Sequence, residues 1–183
     1  MIKLGVVVRV VALLAAALFL SSCGGSSDST AADRPKSEPP LYHQANYDIE
    51  FFNGWDQVES DKPIGNVLET FWNEPPPYKS NVLVTSSTSE GSGSPRAEAE
   101  LARDRMKQLP GYHERSFEGV KLRGRPATQW TYEIGGIGRI EYYFEACGIH
   151  FAFAASSTVT PFGVPIELRY RRVAKTIKPI CDS

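Results

Sequence analysis

Hydrophobic and polar residues alternate along much of the chain between residues 47 and 156, and this two-residue period predicts β-strands. The alternation is clearest at Ile140–Ala146 and Ile149–Ser156, where aromatic residues recur at every second position. Turn-forming Asn, Gly and Pro residues separate the segments. The predicted strands are Tyr47–Phe51, Val67–Trp72, Asn81–Thr88, Phe117–Leu122, Ala127–Ile134, Ile140–Ala146 and Ile149–Ser156.

Two segments instead show the three-to-four-residue spacing of amphipathic helices. The first follows Ser94, a preferred N-cap residue, and begins with Pro95. Its apolar positions are Ala97, Leu101, Ala102, Met106 and Leu109. The second runs from Pro165 to Lys178, and its apolar positions are Ile166, Tyr170, Val173 and Ile177. We therefore predict an α+β fold, an antiparallel sheet of about six or seven strands packed with two main helices.

The alternation also predicts how the central strands pair, because a continuous apolar face fixes the register. The first hairpin would pair Ile134 with Ile140, Tyr132 with Tyr142 and Trp130 with Phe144. The next would pair Ala146 with Ile149, Phe144 with Phe151 and Tyr142 with Phe153. This register predicts an aromatic core on one face of the sheet.

On the other face, the same register places Glu133 opposite Glu141, with Glu145 further along and facing His150. Paired carboxylates can separate their pKa values for acid–base chemistry, or hold a cation. The alternative is a solvated face relieved by a neighbouring arginine, and we favour it. For Glu145 and His150 we expect an ion pair.

Other candidate chemistry is weaker. The three histidines His43, His113 and His150 lack the spacing of metal ligands, and the chain has no Cys-x-x-Cys. The segment Gly91-Ser92-Gly93-Ser94-Pro95 only imitates a phosphate-binding loop, because the third glycine and the Lys-Ser/Thr pair are missing. We therefore predict no catalytic residue, no metal site and no cofactor.

The amino-terminal segment has the parts of an export signal. Lys3 and Arg9 are its only charges, and Val10–Leu20 is an unbroken apolar run of eleven residues. A transmembrane helix needs roughly 20 apolar residues, whereas a run of about 7–15 is typical of a signal peptide. Ordinary cleavage by signal peptidase and an uncleaved membrane anchor are the alternatives to the lipoprotein signal described next.

The sequence Leu20-Ser21-Ser22-Cys23 resembles the lipobox of bacterial lipoproteins. The resemblance implies that residues 1–22 are removed and that Cys23 carries two or three fatty acyl chains such as palmitate, which is enough for stable anchoring. Residues 23–40 contain no large apolar residue and predict a flexible tether of about 20–25 Å r.m.s. span. Residues 41–183 fit one globular domain.

Composition excludes one class of partner. Losing Lys3 and Arg9 with the signal leaves 18 basic against 21 acidic residues, a net charge of −3. Sequence-independent nucleic-acid binding needs a large basic footprint, so we predict no nucleic-acid partner.

Once Cys23 is acylated, Cys147 and Cys181 remain in a compartment that permits disulfides. Cys147 lies in the turn before Ile149–Ser156, which runs outward at about 3.3 Å per residue. The last helix returns at about 1.5 Å per residue, so the two lengths nearly cancel. We predict a Cys147–Cys181 disulfide, with two separate thiols as the alternative.

The order of several turn and packing motifs resembles PsbP-like domains. These motifs are Asn53-Gly54-Trp55, Leu109-Pro110-Gly111-Tyr112, Leu122–Ala127, Trp130 and Arg139–Phe144. The chain is similar in this respect to LpqN-type actinobacterial lipoproteins and to ectodomains of some actinobacterial serine/threonine kinases. The resemblance implies an α/β sandwich that serves as a non-catalytic accessory or binding module.

Together these features lead us to expect an exported, lipid-anchored binding or accessory module on the extracytoplasmic face of the cell membrane. Its partners would be the membrane, through the anchor, and an unidentified envelope protein or small ligand. A secreted enzyme that uses Glu133 and Glu141, and a purely structural envelope protein, are the alternatives.

The anchoring prediction can be tested with Cys23→Ala. This variant should lose metabolic labelling by fatty acids and move from membranes into soluble fractions, because the acylated thiol is gone. Acylation and membrane retention equal to those of the parent chain would contradict the lipobox assignment.

Overall fold

A computed structural model of the chain describes residues 39–76, 80–88, 93–158 and 164–181. The predicted signal peptide, most of the tether and Cys23 lie outside these residues. The helices are α1 (Pro95–Met106) and α2 (Val164–Ala174). The strands are β1 (Leu41–His43), β2 (Tyr47–Glu50), β3 (Asp56–Ile64), β4 (Val67–Asn73), β5 (Ser80–Thr88), β6 (Tyr112–Leu122), β7 (Arg125–Ile134), β8 (Ile137–Ala146), β9 (Ile149–Ser157) and β10 (Lys178–Pro179).

Seven of these strands form one antiparallel sheet in the order β3-β4-β5-β9-β8-β7-β6. Consecutive strands pair within β3–β5 and within β6–β9, and the two groups join where β5 pairs with β9. The strands β1, β2 and β10 form a second, smaller sheet. The predicted α+β class, with a seven-stranded sheet and two helices, is confirmed.

The large sheet is covered on both faces because successive residues of a strand point to opposite sides. On one face, Ala99 and Ala102 of α1 pack with Trp130, Tyr132 and Tyr143. Small residues on α1 allow the helix to lie close to this aromatic layer. The N-terminus of α1 is capped as predicted: the Ser94 hydroxyl accepts a hydrogen bond from the Ala97 amide at 3.2 Å.

The opposite face carries the larger core. Here Tyr142, Phe144, Phe151 and Phe153 of β8 and β9 pack with residues of α2 and β2. The rings of Phe144 and Phe151 stack with their centroids 5.1 Å apart. The predicted β8–β9 register, which pairs these two residues, is confirmed.

The predicted β7–β8 register is wrong. The structure pairs Ile134 with Ile137 and Trp130 with Glu141, a shift of three residues from the prediction. The hairpin turn contains only Gly135 and Gly136, with φ of 57° and 79°. Positive φ at both central residues is typical of a type I′ turn, which glycine adopts without steric cost. An odd shift moves every side chain of one strand to the other face.

Other differences follow from exposure at the edges. The polar segment Asp56–Ile64 was not predicted as a strand, yet it forms β3 at one edge of the sheet, with irregular pairing and largely exposed side chains. An edge strand needs no apolar alternation, and charges there oppose aggregation. On α1, the predicted apolar stripe is only partly buried: Ala102 is covered, whereas Leu101 is 55% exposed.

The two cysteines come together at one end of the large sheet. Cys147 occupies the two-residue β8–β9 turn, and its Cα lies 5.4 Å from that of Cys181, within the usual range for a disulfide. The structure bonds their sulfur atoms. The return path differs from the predicted one, because α2 ends at Ala174 and the chain continues as β10, which pairs with β2.

Alkylation tests this disulfide chemically. The exported chain, denatured without reductant, should take up no iodoacetamide at Cys147 or Cys181, and both should react after reduction. Closing a loop of this length should stabilise the fold by roughly 3–4 kcal/mol, which a Cys181→Ser variant measures in denaturant titration. Uptake at both cysteines before reduction would refute the bridge.

Candidate functional site

The predicted carboxylate pair does not form. Glu133 pairs with Gly138 and Glu141 with Trp130, so the two carboxylates lie on opposite faces of the sheet. The cause is the two-residue glycine turn, which shifts the register by an odd number. Glu133 forms an ion pair with Arg115 near the surface, in line with the favoured solvated-face interpretation. The structure therefore removes the basis for shared acid–base chemistry between these two residues.

Glu141 belongs to a closed hydrogen-bonded cluster, which we call the Glu141 cluster and define as Glu141, Tyr132 and Tyr143. Its carboxyl group is buried, with the residue 7% exposed. The Tyr132 hydroxyl donates to one carboxyl oxygen at 2.7 Å, and the Tyr143 hydroxyl donates to the other. Burial, and then the charge of Glu141, raise the pKa of both tyrosines. Because each oxygen has a donor, this cluster fits a structural role.

His150 links α1 to the sheet. Its ring is buried, with Nδ1 2.7 Å from a carboxylate oxygen of Glu98 on α1. Nε2 lies 3.3 Å from an oxygen of Glu145, so the predicted contact between His150 and Glu145 is confirmed. A protonated ring can donate from both nitrogens at once. The sequence did not point to Glu98, because its distance from His150 along the chain gives no local pattern.

The histidines do not converge on one site. His43 pairs with Asp48 at 2.8 Å near the surface, and His113 lies exposed on β6. Among the described residues, no group of three or more His, Cys, Asp or Glu side chains is placed to hold a metal ion. Ser94 of the imitated phosphate loop serves as the α1 N-cap, and residues 91 and 92 of that loop lie outside the described part.

A different site lies on the other face of the sheet. A cleft of about 180 Å³ opens between α2 and strands β6, β7 and β8, and we call it the α2 cleft. Its floor is part of the core, and its rim carries charged side chains from β6 and α2. The residues that line it are Glu118, Gln129, Ile140, Tyr142, Glu167, Leu168 and Arg171.

Three residues that line the α2 cleft each carry a buried polar atom with no hydrogen-bond partner among the described residues. These atoms are Tyr142 Oη, Gln129 Oε1 and Arg171 Nε. Thr131 Oγ1, which also lacks a partner, lies on the same face of β7 as Gln129. A buried polar group left unpaired costs about 1–3 kcal/mol, so several in one cleft require an explanation.

Tyr142 differs from the other buried tyrosines. The hydroxyls of Tyr47 and Tyr170 also lack a well-aligned hydrogen bond. Burial raises the pKa of both, and nearby hydroxyls, Thr70 for the first and Ser80 for the second, oppose the rise. No described hydroxyl does this for Tyr142. Burial raises the pKa of Tyr142, with the Arg171 charge opposing the rise.

The alternation along β8 correctly predicted that Tyr142 lies in the core, but no sequence pattern indicated the α2 cleft. The wrong β7–β8 register put Gln129 and Thr131 on the opposite face from Tyr142. A usable signal existed in α2, where Glu167 and Arg171 lie four residues apart and flank the buried Tyr170. Charged residues beside a buried helix position indicate that the rim of a packed face is polar.

Comparison with known proteins identifies the fold. No protein-family model and no curated protein matches the chain. The solution structure of cyanobacterial PsbP (CyanoP) from Synechocystis sp. PCC 6803 is similar at 15% identity and a TM-score of 0.57, covering 88% of this chain and 99% of that one. A crystal structure from Bacteroides thetaiotaomicron VPI-5482 is similar at 13% identity and a TM-score of 0.52, covering 80% and 49%.

The crystal structure of LpqN from Mycobacterium tuberculosis matches at 14% identity and a TM-score of 0.48, covering 78% of this chain and 90% of that one. LpqN is described as a protein involved in cell envelope biogenesis. The described domain has a PsbP-like fold, as the order of sequence motifs predicted. At these identities the likeness concerns the fold. Within the described residues, no helix is both long and apolar enough to cross a membrane.

Two tyrosine-to-phenylalanine variants, one on β7 and one on β8, compare the two faces of the large sheet. Tyr132→Phe should lower the free energy of unfolding by about 1.5–3 kcal/mol, because Glu141 loses a hydrogen bond in a buried site. Tyr142→Phe should leave it within about 0.5 kcal/mol or raise it, because that hydroxyl has no hydrogen bond to lose among the described residues. Denaturant titration of both variants measures the difference, and an equal loss would show that Tyr142 is hydrogen-bonded.

Proposed function

We propose that this PsbP-like domain is the binding module of a lipid-anchored accessory protein on the extracytoplasmic face of the cell membrane, and that the α2 cleft holds its ligand. Cys23 supports the location, because it ends a signal of the lipoprotein type and precedes a polar segment of tether composition. A tether of about 20–25 Å would leave the domain free to meet ligands near the membrane.

The observation that carries the binding function is that several residues lining the α2 cleft have buried polar atoms without a hydrogen-bond partner among the described residues. Tyr142 is 0% exposed, yet its hydroxyl has no hydrogen-bond partner among the described residues. Ligand sites combine apolar walls with a few polar groups that converge on one space. Ile140 and Leu168 supply the apolar walls, and Tyr142, Gln129 and Arg171 supply the polar groups. Buried polar groups without partners lower the stability of a fold, and proteins keep them mainly at functional sites.

A non-enzymatic role is part of the proposal. The carboxylates that motivated the enzyme alternative are separated by the sheet, and Glu141 is engaged by two tyrosines. In the α2 cleft, Glu167 and Glu118 are not accompanied by a described histidine, serine or cysteine lining the same space. The groups present are suited to recognition by hydrogen bonds and charge.

A cleft-filling substitution tests the binding function. Leu168→Trp adds an indole at the mouth of the α2 cleft and should reduce ligand retention at least tenfold, because the ligand and the indole compete for one volume. Leu101→Trp is the matched control, since Leu101 is similarly exposed but lies on α1 (55% against 48% for Leu168). The measurement is mass spectrometry of small molecules released by denaturation from the full chain extracted in mild detergent.

The two variants should separate clearly. The parent chain and Leu101→Trp should release the same molecule in near-stoichiometric amount, and Leu168→Trp should not. Equal amounts from both tryptophan variants, or no bound molecule in the parent chain, would refute the α2 cleft as the ligand site. Thermal unfolding of all three proteins checks that the substitutions leave the fold intact.

A further inference from the structure

We propose that the α2 cleft binds a small zwitterion, a molecule that carries both a cationic amine and a carboxylate group. The inference rests on the proposed function, because it names the class of ligand for the same cleft. It follows from three properties of that cleft. These are the signs of its charges, the donor or acceptor character of its unpaired polar atoms, and its volume.

The charges on the α2 cleft are of both signs. Arg171 supplies a guanidinium group, and Glu118 and Glu167 supply two carboxylates. Among the described residues, none of these three side chains takes part in an ion pair. Glu167 and Arg171 lie four residues apart on α2, the spacing at which helix ion pairs form, and still remain separate. Both signs are therefore available to a ligand.

A ligand with only one charge uses this arrangement poorly. A lone anion would pair with Arg171 but would be repelled by Glu118 and Glu167. A lone cation would pair with the carboxylates and leave the guanidinium without a partner. A zwitterion places its ammonium group beside the carboxylates and its carboxylate on Arg171, where charge-assisted hydrogen bonds are strong. Like-charge repulsion then adds to its selectivity.

The unpaired polar atoms also favour a zwitterion. Gln129 Oε1 can only accept, whereas Arg171 Nε can only donate, and the Tyr142 hydroxyl can do either. The ligand must therefore offer at least one donor and one acceptor within the same small space. An ammonium group has three N–H donors, and a carboxylate has two acceptor oxygens, so a zwitterion meets both requirements.

The volume limits the size of the ligand. The α2 cleft measures about 180 Å³, which is less than the roughly 300–1,000 Å³ of pockets that hold drug-sized molecules. A ligand the size of a free amino acid fits this space. Ile140 on β8 and Leu168 on α2 would contact its carbon skeleton, while the polar ends reach the charged rim.

Four probes with a three-carbon skeleton test the charge requirement: β-alanine, propylamine, propionate and 1-propanol. The full chain in detergent micelles is titrated with each, and the NMR shifts of the Ile140 and Leu168 methyl groups report occupancy. β-Alanine should shift both methyl groups saturably, with a dissociation constant at least tenfold below that of each other probe. Propylamine or propionate binding as tightly as β-alanine would overturn the inference, as would the absence of any shift.

Charge variants assign the two ends. Arg171→Gln should raise the dissociation constant of β-alanine at least tenfold, to about that of propylamine, because the carboxylate of β-alanine loses its partner. Arg172→Gln is the matched control, since Arg172 is the next residue of α2 but is exposed and does not line the cleft. Glu167→Gln should raise the dissociation constant of β-alanine towards that of propionate, because the ammonium group loses one of its carboxylate partners. An equal effect of Arg171→Gln and Arg172→Gln would refute the assignment of the carboxylate end.

The two proposals can fail separately. If Leu168→Trp abolishes ligand retention but β-alanine shows no preference over the other probes, the α2 cleft is a ligand site and the ligand is not a zwitterion. If Leu168→Trp and Leu101→Trp behave alike, the binding function itself is refuted.

Discussion

Two-residue turns at both ends of β8 control how the large sheet pairs and therefore where its side chains lie. Gly135 and Gly136 form one turn, and Cys147 and Gly148 form the other, with positive φ at all four residues. Each turn fixes the pairing of β8 with one neighbour, so each decides which side chains point towards α1 and which towards α2. The alternating residues Tyr142 and Tyr143 are thereby committed to different layers.

The two layers differ in how they satisfy their polar groups. On the α1 side, the hydroxyls of Tyr132 and Tyr143 both donate to Glu141, and His150 contacts carboxylates of Glu98 and Glu145. Such a network holds the helix on the sheet with little left over for a ligand. On the α2 side, Tyr142, Gln129 and Thr131 each bury a polar atom that has no hydrogen-bond partner among the described residues. The binding function proposed above rests on this difference between the two faces.

The disulfide restrains the face of the sheet that carries the α2 cleft. It joins the segment that follows α2 to the β8–β9 turn, and β10 adds backbone hydrogen bonds to β2 in the same segment. The C-terminal end of α2 is thereby restrained against the sheet that forms the floor of the α2 cleft. A wall held in place before the ligand arrives reduces the entropy lost on binding. In the extracytoplasmic location proposed above, oxidising surroundings would preserve this restraint.

Local sequence pattern was enough to predict several features of this fold. Alternation predicted most strands of the large sheet, helical spacing predicted α1 and α2, and the tight Cys147-Gly148 turn led to the correct β8–β9 pairing. The PsbP-like fold followed from the order of turn and packing motifs. The strands, the helices and the tight turn depend on neighbours within a few residues, where backbone preference and apolar periodicity act directly. The edge strand β3 was not predicted because most of its side chains face solvent, so its sequence carries no apolar alternation.

The β7–β8 register, and with it the α2 cleft, is set by how distant parts of the chain pack together. Four residues, Gly135 to Gly138, could all have formed the turn, and the apolar pattern of β8 is compatible with either register because both of its faces are buried. When both faces are covered, alternation no longer says which face a residue takes. The separation of Glu133 from Glu141, and the meeting of Tyr142 with Gln129 and Arg171, depend on that choice and on where α2 packs. These are contacts between distant parts of the chain, which no local pattern encodes.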